Sequence, residues 1–328
     1  MSADVETMFS GEGHVPWWVG LGIEGEATLV EGLLTAAEAI AAAKLDWKVD
    51  LAPAFAFIDD EMIEVEDKRH TYRTSDNKVL GTVGTRYQPV QNAELFSFLD
   101  AIVDSDDAHY TTAGSLKGGK IAWVLLKVNK EQVRIGDGLD TEDYIIATTT
   151  HDGSGAVIVK PVRTLVVCWN TYSWALREKA STFTARHTAS VTGKVAEARA
   201  ALDLSIAWFD EFDAEIEKLL NVDVTNEKFH GIVKGMFPLI EDGEEVKGRA
   251  RTIREGAQDF IFDVYSHEAN AEFRGTGWGA VQAVNGYEQW GQTAKGSRSE
   301  RQALKMLQGS SGFPLTEQVR GELLTVAA

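Results

Sequence analysis

The stretch that decides the fold is Ala108-His-Tyr-Thr-Thr-Ala-Gly-Ser-Leu-Lys-Gly-Gly-Lys-Ile-Ala-Trp-Val-Leu-Leu-Lys-Val128. Two runs rich in apolar and β-branched residues flank a Lys-Gly-Gly turn, which is the pattern of a β-hairpin. The sequence therefore predicts strands over Ala108–Leu116 and Ile121–Val128.

Strand patterns continue on both sides of this hairpin. Downstream, Tyr144–Thr150 and Ala156–Val167 are separated by the turn sequence His151-Asp-Gly-Ser-Gly155, which predicts an antiparallel meander. Upstream, Ala54–Tyr87 alternates short apolar runs with polar turns. Before these strands, Thr35-Ala-Ala-Glu38 has the form of a capping box and predicts the start of a short helix.

The C-terminal part of the chain has helical periodicity instead. Val191–Leu220 is alanine-rich and amphipathic, and residues 225–262 and 278–308 predict further helices. We therefore predict an α+β fold with two parts. Residues 1–200 form an antiparallel-sheet-rich core, and residues 201–328 form a helical region packed on that core.

Composition restricts the class and the location of the protein. The chain has 328 residues, a net charge of -18 and one cysteine, which rules out an internal disulfide and is typical of a reducing compartment. Acidic residues near the N-terminus replace the bases of a signal peptide. Every apolar run is shorter than the roughly 20 residues of a membrane helix. We expect a soluble, cytoplasmic protein without a membrane partner.

The charge is unevenly distributed along the chain. Residues 1–65 and 203–245 are strongly acidic, whereas residues 153–202 have a net positive charge. Phosphate binding usually requires a basic surface, so a basic stretch in an acidic protein is a candidate contact region. The acidic segments either keep the protein soluble or engage a basic partner.

Four features resemble catalytic or cofactor motifs, and each is better explained by local structure. Gly114–Lys120 has the spacing of a phosphate-binding loop, but Ile121 stands where a magnesium-binding Ser or Thr is needed, and a strand follows. His151-Asp152 belongs to a turn sequence, and Cys168 ends an apolar run as a buried thiol. Gly275–Gly279 lacks the spacing of a dinucleotide fingerprint and predicts the start of a helix. We therefore expect no catalytic residue, cofactor or metal.

A group of basic, aromatic and amide side chains is the remaining candidate site. Cations neutralise phosphates, and aromatic rings stack on unpaired bases, so these residue types together predict a nucleic-acid contact. The alternative, that the aromatic rings are core residues and the bases are solvated, stays open. The candidate residues are Arg86, Lys160, Arg163, Trp169, Asn170, Tyr172, Arg177, Lys179 and Arg186.

Several motifs occur in an order that resembles the phage/plasmid-like protein family, a domain-of-unknown-function family of phages, plasmids and integrated elements. The resemblance covers roughly residues 10–290 and implies the cytoplasm of a bacterial host cell, but it supplies no catalytic residues. The element order is also similar to that of phage single-strand annealing recombinases. The motifs are His14–Gly22, Leu80–Asn92, His151–Ser154, Pro161–Arg163 with Cys168–Thr171, and Thr276–Tyr287.

Two functional hypotheses follow from these observations. The first is a non-enzymatic DNA-binding protein of phages or plasmids that binds or anneals single strands during recombination or replication, as a homo-oligomer. The second is an acidic protein-interaction or inhibitory factor that acts on a host protein. An enzyme whose site is assembled from distant residues is a third alternative.

Overall fold

A computed structural model gives the architecture of the chain. It describes residues 5–11, 27–30, 32–103, 107–129, 141–165, 171–172, 183–185, 195–241, 243–292 and 312–327. Antiparallel sheets occupy the N-terminal half and helices the C-terminal half, which confirms the predicted α+β class. Within the described residues, no helix is long and apolar enough to cross a membrane.

The larger sheet contains the predicted hairpin and meander. Its strand order is β10-β9-β8-β7-β6-β1-β2, with β11 paired to β9, and β1–β2 is a parallel pair. Its strands are β1 (Val5–Gly11), β2 (Ala27–Val30), β6 (Ala108–Leu116), β7 (Ile121–Val128), β8 (Thr141–Thr150), β9 (Val157–Leu165), β10 (Thr171–Tyr172) and β11 (Phe183–Ala185).

The β6–β7 turn has the geometry that its sequence predicts. Leu116 pairs with Ile121, and the backbone between them takes positive φ angles at Lys117, Gly118 and Gly119. Glycine adopts this region without a steric penalty, which explains the Gly-Gly pair. Nearly every residue of both strands is buried, so this hairpin forms part of the core.

A separate three-stranded antiparallel sheet has the order β3-β4-β5. Its strands are β3 (Val49–Ile58), β4 (Glu61–Arg73) and β5 (Lys78–Gly84), of which β5 is the shortest. Since β5 pairs only with Lys68–Arg73, the part of the sheet beyond it is a two-stranded ribbon. We call this ribbon, Phe55–Glu64, the finger.

Two helices begin where their sequences predict, each after a threonine cap. α1 begins with the predicted capping box, in which Thr35 and Glu38 bond each other's backbone amides. α6 begins at Gly277 after Thr276, whose hydroxyl accepts a bond from the Gly279 amide, as its sequence predicts. The helices are α1 (Ala36–Ala42), α2 (Asn92–Val103), α3 (Val195–Leu220), α4 (Asn226–Met236), α5 (Gly248–Ser266), α6 (Gly277–Gly286) and α7 (Pro314–Ala327).

Short elements complete the helical half. A small hairpin, β12 (Ile240–Glu241) with β13 (Glu244–Glu245), separates α4 from α5. A 3-10 helix over Glu268–Phe273 precedes α6, and a π-helical turn over Tyr287–Gly291 follows it.

The chain divides into two compact units. The first comprises Met1–Glu131, Asp143–Val162 and Lys179–Ala207, and the second comprises Gln132–Glu142, Arg163–Glu178 and Trp208–Ala328. In the first unit, β6, β7 and α2 supply buried side chains such as Phe96 and Leu126. In the second, α6 is buried along its whole length, and Trp208, Phe212 and Trp278 form an aromatic cluster.

Candidate nucleic-acid interface

Two of the sequence motifs meet in the first unit. A Cβ atom on Gly81 would lie 2.5 Å from the Cα of Asp152, so the backbones approach too closely for any side chain. On the other motif, Gly153 has a φ of 78° and lies against the Val83 side chain. The motif glycines therefore allow β5 to lie directly on the turn that follows β8.

His151 is buried at this junction and has a structural role. Its Nε2 lies 2.9 Å from Oδ1 of Asn92, whose amide nitrogen donates to the Leu45 carbonyl at 3.0 Å. Since the Asn92 oxygen is the acceptor, Nε2 is the protonated nitrogen. The His151 amide also donates to the Lys120 carbonyl, and the ring meets Trp47 edge-on at 5.3 Å. Among the described residues, no cluster of three metal-ligating side chains occurs.

Tyr87 ties the end of β5 to the same junction. Its hydroxyl donates to the Thr150 carbonyl at 2.9 Å, and its ring is half-buried. Burial, and then the negative charge of Asp152, raise the pKa of this phenol. The phenol therefore stays neutral at physiological pH and presents part of an aromatic ring to solvent.

Trp47 is held in place by an arginine. The Arg73 guanidinium lies 5.4 Å from the Trp47 ring centre, and it forms two bonds to the Asp76 carboxylate, at 2.9 and 2.6 Å. The bonds from Arg73 lower the pKa of Asp76 to about 2, so the pair is neutral overall. The result is a half-buried indole whose neighbouring Arg73–Asp76 pair carries no net charge.

Four lysines lie next to these aromatic residues in the chain or on the elements that contact them. Lys48 follows Trp47 directly, and its carbonyl accepts a bond from the Thr74 amide. Lys78 pairs with Arg73 across the sheet, and its ammonium lies over Gly118, where a Cβ atom would be 2.3 Å away. That contact brings Lys78 to the β6–β7 turn, which carries Lys117 and Lys120.

We call this group the basic–aromatic patch. Of its five cations, all but the half-buried Lys120 are exposed, and Arg86 lies in the turn that ends at Tyr87. The contacts described above link its members, all of which belong to the first unit. The patch consists of Trp47, Lys48, Lys78, Arg86, Tyr87, Lys117 and Lys120.

Two of the residues predicted to contact phosphate are buried inside the protein. Arg163 has no exposed surface; it forms an ion pair with Asp213, and its guanidinium lies 5.3 and 5.1 Å from the rings of Phe209 and Phe212. Lys160 is buried as well, and desolvation lowers its pKa to about 7. Neither side chain presents a charge to solvent in this arrangement.

The other predicted residues divide into three groups. Arg86 is exposed and belongs to the patch. For Tyr172 only the backbone is described; it lies in β10 and pairs with Arg163 of β9. The remainder lie outside the described residues, together with Cys168. They are Trp169, Asn170, Arg177, Lys179 and Arg186.

Sequence reasoning missed most of the patch because its lysines stand in a turn or at the edge of a strand. Lys78, Lys117 and Lys120 are separated along the chain, and an exposed lysine in such a position has no pattern that distinguishes a binding residue from a solvated one. The start of β5 and the β6–β7 turn lie in different sheets, and the contact of Lys78 with Gly118 that brings them together has no signal in the sequence.

A comparison with protein families places the chain in one of them. A family model described as Domain of unknown function (DUF932) matches residues 79–308, more than half of the chain. The chain belongs to the DUF932 family. The DUF932 match includes Arg86, Tyr87 and the β6–β7 turn, and it begins after Trp47 and the finger. No curated protein and no solved structure matches the chain.

Proposed function

We propose that this DUF932 protein binds single-stranded DNA without catalysing a reaction, and that the basic–aromatic patch is the contact surface. The observation that carries the proposal is the grouping of five cations with two half-buried aromatic rings in a protein whose net charge is -18. Against an acidic background, a local basic surface concentrates a polyanion at one place.

The aromatic rings favour single strands over duplex. Unpaired bases stack on aromatic side chains, whereas the bases of a duplex are already stacked on each other. Trp47 is suited to this role because Arg73 and His151 fix its ring before a base arrives. Ordering the ring in advance lowers the entropic cost of binding.

The resemblance to phage and plasmid proteins supplies the setting of the proposal. Recombination and replication of such elements expose single strands, which a binding or annealing protein would cover. In that setting the protein acts in the cytoplasm of a bacterial host cell.

The test is a titration of a fluorescently labelled single-stranded oligonucleotide at low and moderate salt. We expect affinity to fall with salt, and each lost phosphate contact to reduce the log–log slope by about 0.7. The variant Lys117→Ala/Lys120→Ala should show this reduction. The matched control Lys234→Ala/Lys247→Ala, in exposed positions of the second unit, should not.

Two results would overturn the proposal. The first is the absence of binding at low salt, and the second is an equal loss of affinity in the test and control variants.

A Trp47→Leu variant separates stacking from charge, since loss of a stacked base costs about 1–3 kcal/mol of binding free energy with little change in the salt slope.

A second candidate function is the binding of a basic host protein by the acidic surface of α3 and α4. Exposed carboxylates on and between these helices motivate it, among them Asp210, Glu217 and Glu227. Absence of DNA binding together with salt-sensitive binding to a basic protein would favour this candidate.

A further inference from the structure

The finger exposes an unusual amount of apolar surface. Phe57 and Met62 are 73% and 70% exposed, and Phe55, Ile58 and Ile63 are each about half exposed. Scattered exposed apolar residues are common, but here five large ones are concentrated on a single short ribbon, as they are at an interaction site.

The apolar side chains lie on both faces of the ribbon. Phe57 is paired with Met62 on one face, whereas Ile63, paired with Ala56, lies on the other face with Ile58. A two-stranded ribbon is marginally stable in water by itself. The finger therefore offers apolar surface to a partner on either face.

The tip of the finger is also strongly acidic. Asp59 and Asp60 form its turn with positive φ angles, and Glu61 and Glu64 follow on β4, all of them exposed. A complementary surface must combine cations with apolar or aromatic groups. The basic–aromatic patch of the same chain has both, and exposed Val79 lies next to Lys78.

The finger cannot reach the patch of its own chain. β3 begins at Val49, directly after Lys48 of the patch, and runs to Ile58 near the tip. At about 3.3 Å per residue, the strand separates the two by roughly 30 Å. A patch that accepts the finger must belong to another molecule.

We propose that the finger docks on the basic–aromatic patch of a second copy of this chain. Because tip and patch lie at opposite ends of one sheet, the contact joins unlike surfaces. Such contacts close as a reciprocal pair or as a ring, or continue as an open filament when the rotation between copies does not close. The docking depends on the charge and the aromatic surface of the patch, and it holds whether or not DNA binds there.

Sedimentation velocity of the purified full chain, over a range of protein concentrations at low salt, tests this proposal. We expect assemblies that become monomers in Phe57→Ser/Met62→Ser, which removes the apolar contact. Glu61→Lys/Glu64→Lys and Lys117→Glu/Lys120→Glu should each become monomeric as well. Circular dichroism melting of each variant checks that it is folded.

Mixing the two charge-reversed proteins is the decisive measurement. The lysines introduced on one finger then meet the glutamates introduced on the other protein's patch, and the native finger meets the native patch, so the mixture should assemble although neither protein does so alone. The proposal is overturned if the wild-type chain is monomeric at every concentration, if the finger variants assemble normally, or if the mixture stays monomeric. If the wild-type chain is monomeric at every concentration, the exposed finger would instead be a contact surface for a different protein.

Discussion

Arg163 shows at the scale of one residue why charge is hard to interpret from sequence. It lies in a stretch that is rich in bases, yet its guanidinium is buried against Asp213, which is 50 residues later. The local pattern of a strand is the same whether a basic side chain meets water or a distant carboxylate. Only the folded chain decides between the two environments.

The Arg163–Asp213 pair makes a prediction about stability. Asp213→Ala leaves a buried cation without its partner and should lower the free energy of unfolding by about 3–5 kcal/mol. Replacing both residues by apolar ones, Arg163→Met/Asp213→Leu, should cost much less because no charge is left buried. Urea unfolding measures both variants. Equal losses in the two would contradict a buried ion pair.

Lys160 makes a prediction about pH. Burial lowers its pKa from 10.5 to about 7, so between these values the unfolded chain binds more protons than the folded one. Stability therefore rises with pH across this window and is lowest below it, where the lysine is charged in both states. The rise should be smaller in Lys160→Met. Urea midpoints at several pH values test this, and parallel curves for the two proteins would contradict it.

At the scale of elements, local patterns predicted those parts of the fold that have local causes. The β6–β7 hairpin follows from its Gly-Gly turn, the capping box of α1 from Thr35 and Glu38, and α3 from its periodicity. The placement of β1 between β2 and β6 had no local signal, since β1 and β6 are about a hundred residues apart in the chain. Pairing at that distance depends on the whole core.

The close approach of β5 to the turn after β8 predicts that adding one methyl group at Gly81 lowers the stability. Gly81→Ala would place a Cβ atom 2.5 Å from the Asp152 backbone, which cannot move as a side-chain end would. We expect a loss of roughly 1–3 kcal/mol in stability and weaker binding at the patch. Gly84→Ala is the matched control, because its Cβ atom would meet nothing within 4 Å. Similar melting temperatures for both variants would contradict the close contact.

At the scale of the whole molecule, the net charge of -18 lowers the stability of the folded chain. Like charges repel in a compact chain, and salt screens this repulsion over a Debye length of about 10 Å at 0.1 M. Moderate sodium chloride should therefore raise the melting temperature while it weakens DNA binding at the patch. Circular dichroism melting and the oligonucleotide titration in the same buffers test both effects. A melting temperature that falls with salt would show that attractive ion pairs dominate.

The finger also precedes the region that defines the family, since the DUF932 match begins at Val79. An antiparallel ribbon grows or shrinks by whole cross-strand pairs, each of which changes its reach by about 3.3 Å, without altering the register at its root. Here the root is the ladder from Val49–Arg73 to Pro53–Arg69. The ribbon can therefore be shortened, extended or grafted while the meander of the larger sheet keeps its own sequence. Its length therefore sets the distance between the two molecules that it connects.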